Sequence, residues 1–179
     1  PDGQFLYFSS ERIGGFGGRD IYRASLLPDS TWGNIVNLGD SVNTAMDDDA
    51  PFIHADGMTL FFSSKGRSSM GGYDIFKSVM RPADSTFKLS ENLGHPINTP
   101  SDDIYFVMAA NGSTGYFSSA RKDGMGMKDL YSVETNFTGT KASVYLVKGV
   151  TKFQETPVAA NIKIEISSKS NKVFKTIQT

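Results

Sequence analysis

The chain has 179 residues, 39% of them hydrophobic and 12% aromatic, which is enough for a sizeable core and unlike a disordered segment. Its formal net charge of −1 and pI near 6.2 give no long-range attraction to nucleic acid or anionic lipid. The absence of cysteine removes disulfides, zinc–thiolate centres and thiol nucleophiles but leaves the compartment open, and no apolar run approaches the ~20 residues of a membrane span.

Asp2-Gly3 is a turn signal, and the aromatic run Phe5-Leu6-Tyr7-Phe8 after it predicts a buried strand. Gly14, Gly15, Gly17 and Gly18 allow a tight return into Asp20-Ile21-Tyr22-Arg23-Ala24, which alternates as a second strand. Leu27-Pro28-Asp29-Ser30 is a turn by composition, and residues 32–39 read as a short outer strand and its exit. A four-stranded unit follows, with strands expected at 51–53, 59–63, 74–79 and 87–91 and a turn at His54-Ala55-Asp56-Gly57. Its first three strands return at 104–108, 115–118 and 129–133. No segment carries apolar residues at helical spacing.

One motif is written three times: LYFSSERIGGFGGRDIY at 6–22, LFFSSKGRSSMGGYDIF at 60–76 and GYFSSARKDGMGMKDLY at 115–131. Each copy is an apolar-aromatic run ending in Ser-Ser, a Gly-rich stretch, then Asp20, Asp74 or Asp129 before an aliphatic and an aromatic residue. That pattern predicts a hairpin, repeated about every 55 residues. Asn37-Leu38-Gly39 likewise returns as Asn92-Leu93-Gly94, Val42-Asn43-Thr44 as Ile97-Asn98-Thr99, and Asp47-Asp48 as Asp102-Asp103. Asp2-Gly3, Asp56-Gly57 and Asn111-Gly112 stand before successive copies. Four antiparallel strands at fixed spacing predict an all-β fold, a partial β-propeller with about two and a half blades in residues 1–135. The period is longer than the ~40–45 residues of a WD-type blade, leaving room for longer loops. Propellers close with ~4–8 blades. The expectation is therefore a piece of a longer protein, since an unclosed array leaves apolar faces open.

In these residues the chain resembles the TolB-type, WD-like propeller repeats of OmpA-family proteins of the Bacteroidota, among them PorE-like components of the type IX secretion system. The resemblance covers about residues 1–135 and rests on Ser-Ser-x-Arg, the Gly-rich loop, Asp-Ile-Tyr/Phe, Asn-Leu-Gly and Ile-Asn-Thr. Two features depart from it: Arg67 is displaced by one position relative to Arg12 and Arg121, and the third copy has Gly124-Met125-Gly126-Met127 where a glycine pair is usual. Residues 136–142 read as a linker. Beyond it, 144–150, 161–166 and 173–177 read as strands, the second with Ile162, Ile164 and Ile166 on one face. Lys148-Gly149-Val150 and Pro157-Val158-Ala159-Ala160-Asn161-Ile162 resemble the opening of a carboxypeptidase-regulatory-like β-sandwich, expected over 143–179.

No catalytic, cofactor or metal site is expected. An active site is rarely copied once per blade, so Asp20, Asp74 and Asp129 are expected to accept hydrogen bonds from loop amides or to pair with Arg12, Arg67 and Arg121. Gly18, Gly72, Asn43 and Asn98 are expected to be structural parts of the repeat. Asp47-Asp48-Asp49 lacks the alternating ligand spacing of a calcium loop and reads as a solvated turn. His54 and His95 fall at different places in the repeat and read as surface or turn residues. Asn111-Gly112-Ser113-Thr114-Gly115 is not a nucleophile elbow, because no Gly stands two before Ser113.

What the resemblance implies is a non-enzymatic periplasmic scaffold associated with the outer membrane, with no cofactor. Its expected partners are protein subunits of a secretion or motility complex. Peptidoglycan would be held by a domain outside this chain. No nucleic acid and no membrane span are expected. The alternative is the propeller domain of a serine peptidase or of a TolB-like translocation protein.

Overall fold

The computed structural model describes residues 1–122 and 124–135, and beyond them the backbone of four short strands. The chain divides into two compact units, Pro1–Val144 and Tyr145–Thr179. Every described element is a strand, and no helix long and apolar enough to cross a membrane occurs among the described residues.

The first unit holds three antiparallel sheets in chain order. β1 (Phe5–Ser10), β2 (Asp20–Leu26) and β3 (Trp32–Asn37) make the first. β4 (Asp48–Ile53), β5 (Thr59–Ser64), β6 (Asp74–Val79) and β7 (Glu91–Asn92) make the second, in sequence order. The third is β8 (Asp103–Met108), β9 (Thr114–Ser119) and β10 (Asp129–Glu134). The repeated motif is the hairpin β1–β2, β5–β6 and β9–β10. Its register is the same each time, with Phe8 opposite Tyr22, Phe62 opposite Phe76 and Phe117 opposite Tyr131. The stacked ring pairs, 5.8–6.0 Å between centroids, anchor that register.

The turns entering these hairpins also repeat. Gly3, Gly57 and Gly112 take φ of +75°, +72° and +72°, the left-handed conformation that glycine adopts without a Cβ penalty. The preceding Asp2, Asp56 and Asn111 accept the amide two residues on, at 2.8–3.0 Å. The β4–β5 and β8–β9 pairs each slip by one residue, between Asp49 and Phe52 and between Ile104 and Val107. Ala50 and Tyr105, at equivalent places inside those bulges, both have positive φ, at 52° and 62°.

The core lies between the sheets. Leu60 and Phe62 of β5 point toward the first sheet and join Ile21, Val42, Phe76 and Phe87. Phe61 points the other way and joins Ile75, Phe106, Met108 and Phe117. Covered on both faces, β5 is buried along its whole length, which explains an apolar run rather than an alternating one.

Two expectations are corrected here. The run 5–8 is not a buried strand: Phe5 and Leu6 are each 42% exposed, because β1 pairs with β2 alone and lacks the cover that β5 receives from both sides. The strand expected at 87–91 is displaced to Glu91–Asn92, with Phe87 meeting Met80 as an isolated bridge. Between the two, the Ser78 hydroxyl takes the Lys88 carbonyl, and the ladder breaks there.

In the second unit, β11 (Lys152–Phe153) pairs with β12 (Thr156–Pro157), and β13 (Lys163–Ser167) pairs with β14 (Val173–Gln178). The strand expected at 144–150 lies outside the described residues.

Candidate functional site: a buried polar corner in each repeat

β2, β6 and β10 each open with the repeated aspartate, set opposite the second serine of Ser-Ser: Ser10 to Asp20, Ser64 to Asp74, Ser119 to Asp129. The Gly-rich loop folds back over the strand start, so the carboxylate meets its amides. Asp20 accepts from Phe16 at 2.6 Å and Gly17 at 3.1 Å, Asp74 from Met70 at 2.8 Å, and Asp129 from Met125 at 2.7 Å and Gly126 at 3.3 Å. Asp20 and Asp74 are buried and Asp129 is half-buried. Charge-assisted bonds of this kind are about twice as strong as neutral ones, and they stand in for a ladder that the loop lacks.

Behind each carboxylate stands a relay of amides. Asn37 donates to Asp20 and Asn92 to Asp74, both at 2.8 Å. Asn43 and Asn98 in turn donate to the side-chain oxygens of Asn37 and Asn92, at 2.8 and 2.7 Å. The same two residues pair with the strand backbone: Asn43 accepts the Ile21 amide and donates to its carbonyl, and Asn98 does both to Ile75, at 2.8–2.9 Å. Buried at 2% and 0% exposure, they satisfy groups that water does not reach. In the third copy residues 136–151 lie outside the described residues, and the bonds described are those between loop and carboxylate.

The arginines take other partners. Arg67 donates to the carbonyls of Asp40 and Asn43, and Arg121 to those of Pro96 and Ile97 at 2.6 and 2.8 Å. Each thereby ties its own sheet to the connection that precedes it. Arg121 also lies across Phe117 and Tyr131, 5.2 and 4.8 Å from the ring centroids, as Arg12 does across Phe8 and Tyr22. In the second copy it is Lys65 that covers a ring, Tyr73 at 4.7 Å, while the displaced Arg67 meets the carbonyls as Arg121 does. No ion pair among the described residues joins these arginines to the repeated aspartates.

Close packing explains the glycine pairs. A Cβ on Gly71 would stand 2.3 Å from the Pro100 carbonyl, and one on Gly72 would stand 2.0 Å from Asp102 Oδ1. Gly17 and Gly18 meet Met46 and Asp47 in the same way. In the third copy Met127 takes the place of Gly18 and Gly72, and among the described residues a Cβ on Gly126 would find nothing nearer than Asp129 Oδ1 at 3.9 Å. Gly71→Ala is therefore expected to cost about 1–3 kcal/mol, as overpacking does, while Gly126→Ala stays within about 0.5 kcal/mol. Urea unfolding of the two variants checks the contrast, and equal costs would mean that the loop does not press on the connection.

The run Asp47-Asp48-Asp49 is not a solvated turn. Asp48 is fully buried at the head of β4, where it accepts the Thr44 amide at 2.6 Å and hydroxyl at 3.0 Å. Asp103 takes Thr99 identically, at 2.6 and 2.9 Å. The doubled spacing Thr-x-x-x-Asp was the signal for this pair, and Asn37 and Asn92 carried an equivalent one. Burial pushes the Asp48 carboxyl above its ordinary range, against the bonds from Thr44. A carboxyl with a higher pKa in the folded than in the unfolded state binds more protons when folded, so it costs stability as pH rises above about 4. Asp48→Asn is expected to gain in melting temperature relative to the parent as pH rises above about 4. A difference that does not change with pH would contradict the assignment.

Asp74→Ala unpairs the Met70 amide and the Asn92 side chain, at a cost of about 1–3 kcal/mol. Thermal unfolding measures it, and an unchanged melting temperature would remove the carboxylate from the structural account.

His54 lies in its turn but is buried at 6% exposure, its Nδ1 3.3 Å from the Asp56 amide nitrogen and its Nε2 3.3 Å from the Ala109 carbonyl oxygen. That is not a surface position. His95 is exposed. Ser113 sits in the Asn111 turn, its amide and hydroxyl both donating to Asn111 Oδ1. No group of three His, Cys, Asp or Glu among the described residues is placed to hold a metal ion. Two open hollows, about 280 and 480 Å³, lie at the opposite end of the sheets beside Ile53 and Ala55, and none of the repeated aspartates lines them. A scan against protein-family models matches none of them, and no curated protein is significantly similar to the chain.

Proposed function

We propose that residues 1–135 are consecutive blades of a β-propeller, that the C-terminal stretch opens a carboxypeptidase-regulatory-like sandwich, and that the chain works as a non-enzymatic scaffold. In this reading it belongs to a periplasmic, peptidoglycan-linked protein of the OmpA family, a PorE-like component of type IX secretion, and binds other subunits of that complex. The observation that carries the reading is the repeated corner. Its carboxylates and amides are spent on backbone groups and on one another, copy after copy. Three sheets packed side by side offer rigid loop faces, which suit the binding of protein surfaces.

The test is fractionation of host cells making the full-length protein, followed by sedimentation with purified peptidoglycan. The protein is expected in the envelope fraction, pelleting with peptidoglycan and unlabelled by a fluorophosphonate probe. Recovery in the cytosol, or labelling of a serine in the intact protein, would overturn the reading in favour of a peptidase.

A further inference from the structure

The chain holds seven methionines and no cysteine, so the methionine thioether is the only sulfur it offers to an oxidant. Methionine is among the residue types most often buried, yet Met46, Met70, Met125 and Met127 are 53%, 44%, 100% and 91% exposed. The four share one setting. Met70, Met125 and Met127 stand in the second and third Gly-rich loops, and Met46 lies against the first, where a Cβ on Gly17 would come 2.0 Å from its carbonyl oxygen. The other three methionines are covered. Met108 is 6% exposed among Phe61, Phe106 and Phe117, Met80 packs against the core between the first and second sheets, and Met58 is half-buried.

What the exposed methionines give to the fold is backbone. The Met70 amide donates to Asp74 at 2.8 Å, the Met125 amide to Asp129 at 2.7 Å, and the Met46 amide to the Thr44 hydroxyl at 3.1 Å. Among the described residues no hydrogen bond uses the sulfur of these four, whereas Arg23 donates to the Met80 sulfur at 4.0 Å. The backbone bonds hold each loop in place whatever the polarity of its side chain, and an oxygen added at Met125 or Met127 would face water. The same oxygen on Met108 would enter an apolar core with no donor to meet it.

We propose that Met46, Met70, Met125 and Met127 are reversible oxidation sites, taken to the sulfoxide by peroxides and returned by methionine sulfoxide reductases without loss of the fold. In the forward step a lone pair of the thioether sulfur attacks one oxygen of hydrogen peroxide. The S–O bond forms as the O–O bond breaks, sulfur gives up two electrons, and the proton on the transferred oxygen leaves with the departing hydroxide as water. The reverse step removes that oxygen as water. Its two electrons come from the reductase thiols, which close to a disulfide and are reopened by an external dithiol. A reductase has to reach the sulfoxide, so the exposure that admits the oxidant also admits the enzyme. The outcome is a loop surface that is apolar when reduced and polar when oxidised, over a backbone whose bonds are the same in both states.

The test treats the intact protein with graded hydrogen peroxide and follows each methionine by fragment-ion mass spectrometry. Oxygen uptake at Met46, Met70, Met125 and Met127 is expected to be about tenfold faster than at Met108, with Met58 and Met80 behind the four, since susceptibility follows exposure. Protein carrying oxygen at these four positions alone should keep its melting temperature, and reductases specific for the two sulfoxide epimers, supplied with dithiothreitol, should remove it. Replacing the four by leucine should abolish uptake at the same dose. Oxidation of Met80 or Met108 as fast as Met125, or uptake that persists in the leucine variant, would overturn the proposal. So would a melting temperature that falls while only the four are oxidised, or sulfoxides that the reductases leave in place. None of these outcomes bears on the scaffold reading, which falls on the fractionation result instead.

Discussion

Asn98→Ala lowers stability by about 3 kcal/mol, the upper range for leaving buried polar groups unpaired. The side chain takes up the amide and the carbonyl of Ile75 and one oxygen of Asn92, all away from water. Alanine fills the space with nothing that bonds, and the Ile75 amide lies too deep for solvent to replace the lost acceptor, since Ile75 itself is 0% exposed. The loss also reaches Asp74, because Asn92 is then free to turn away from it. Urea unfolding with an unchanged slope reports the cost. Asn43→Ala should match it, given the same bonds to Ile21. A cost below about 1 kcal/mol for both would mean that the corner is ornamental.

Phe61→Ala should cost about 3–5 kcal/mol, the range for truncating a fully buried aromatic. Phe61 is 0% exposed, and its ring lies 4.8 Å from Phe106 of the facing sheet and 6.4 Å from Phe52 of its own. The cavity would open between the second and third sheets, where neither backbone can close it without sliding one sheet over the other. A double-mutant cycle of Phe61→Leu with Phe106→Leu should show a coupling of about 0.5–1.5 kcal/mol, as aromatic pairs do. Additive losses would place the two rings out of contact.

Much of this arrangement was legible in the sequence, because a hairpin repeats what it needs locally. Ser-Ser, the glycine pair and the Asp before the second strand are a few residues apart, and their spacing alone sets the register of Phe8 with Tyr22 and Phe62 with Phe76. What the repeated asparagines bond to was not legible, since Asn43 and Ile21 lie 22 residues apart and meet only in the folded chain. The bulges escaped for a different reason: Ala50 and Tyr105 share a left-handed backbone but no side-chain chemistry. Asp48 was misread because three consecutive aspartates look like a solvated turn, whereas one of them caps a strand through Thr44. The exposure of Phe5 and Leu6 depends on what lies beside β1, which no local pattern records.

Amide hydrogen exchange tests the central claim, that the repeated carboxylates are anchors for backbone. The amides of Phe16, Met70 and Met125 sit in glycine-rich loops outside any ladder, and their strong hydrogen bonds in the structure are those to Asp20, Asp74 and Asp129. They are expected to exchange far more slowly than their loop neighbours, with Met70 losing its protection in Asp74→Ala while Ile75, held by Asn98, keeps its own. Exchange of all three at the rate of an open loop in the unaltered protein would contradict the account, since the carboxylates would then be free for other chemistry.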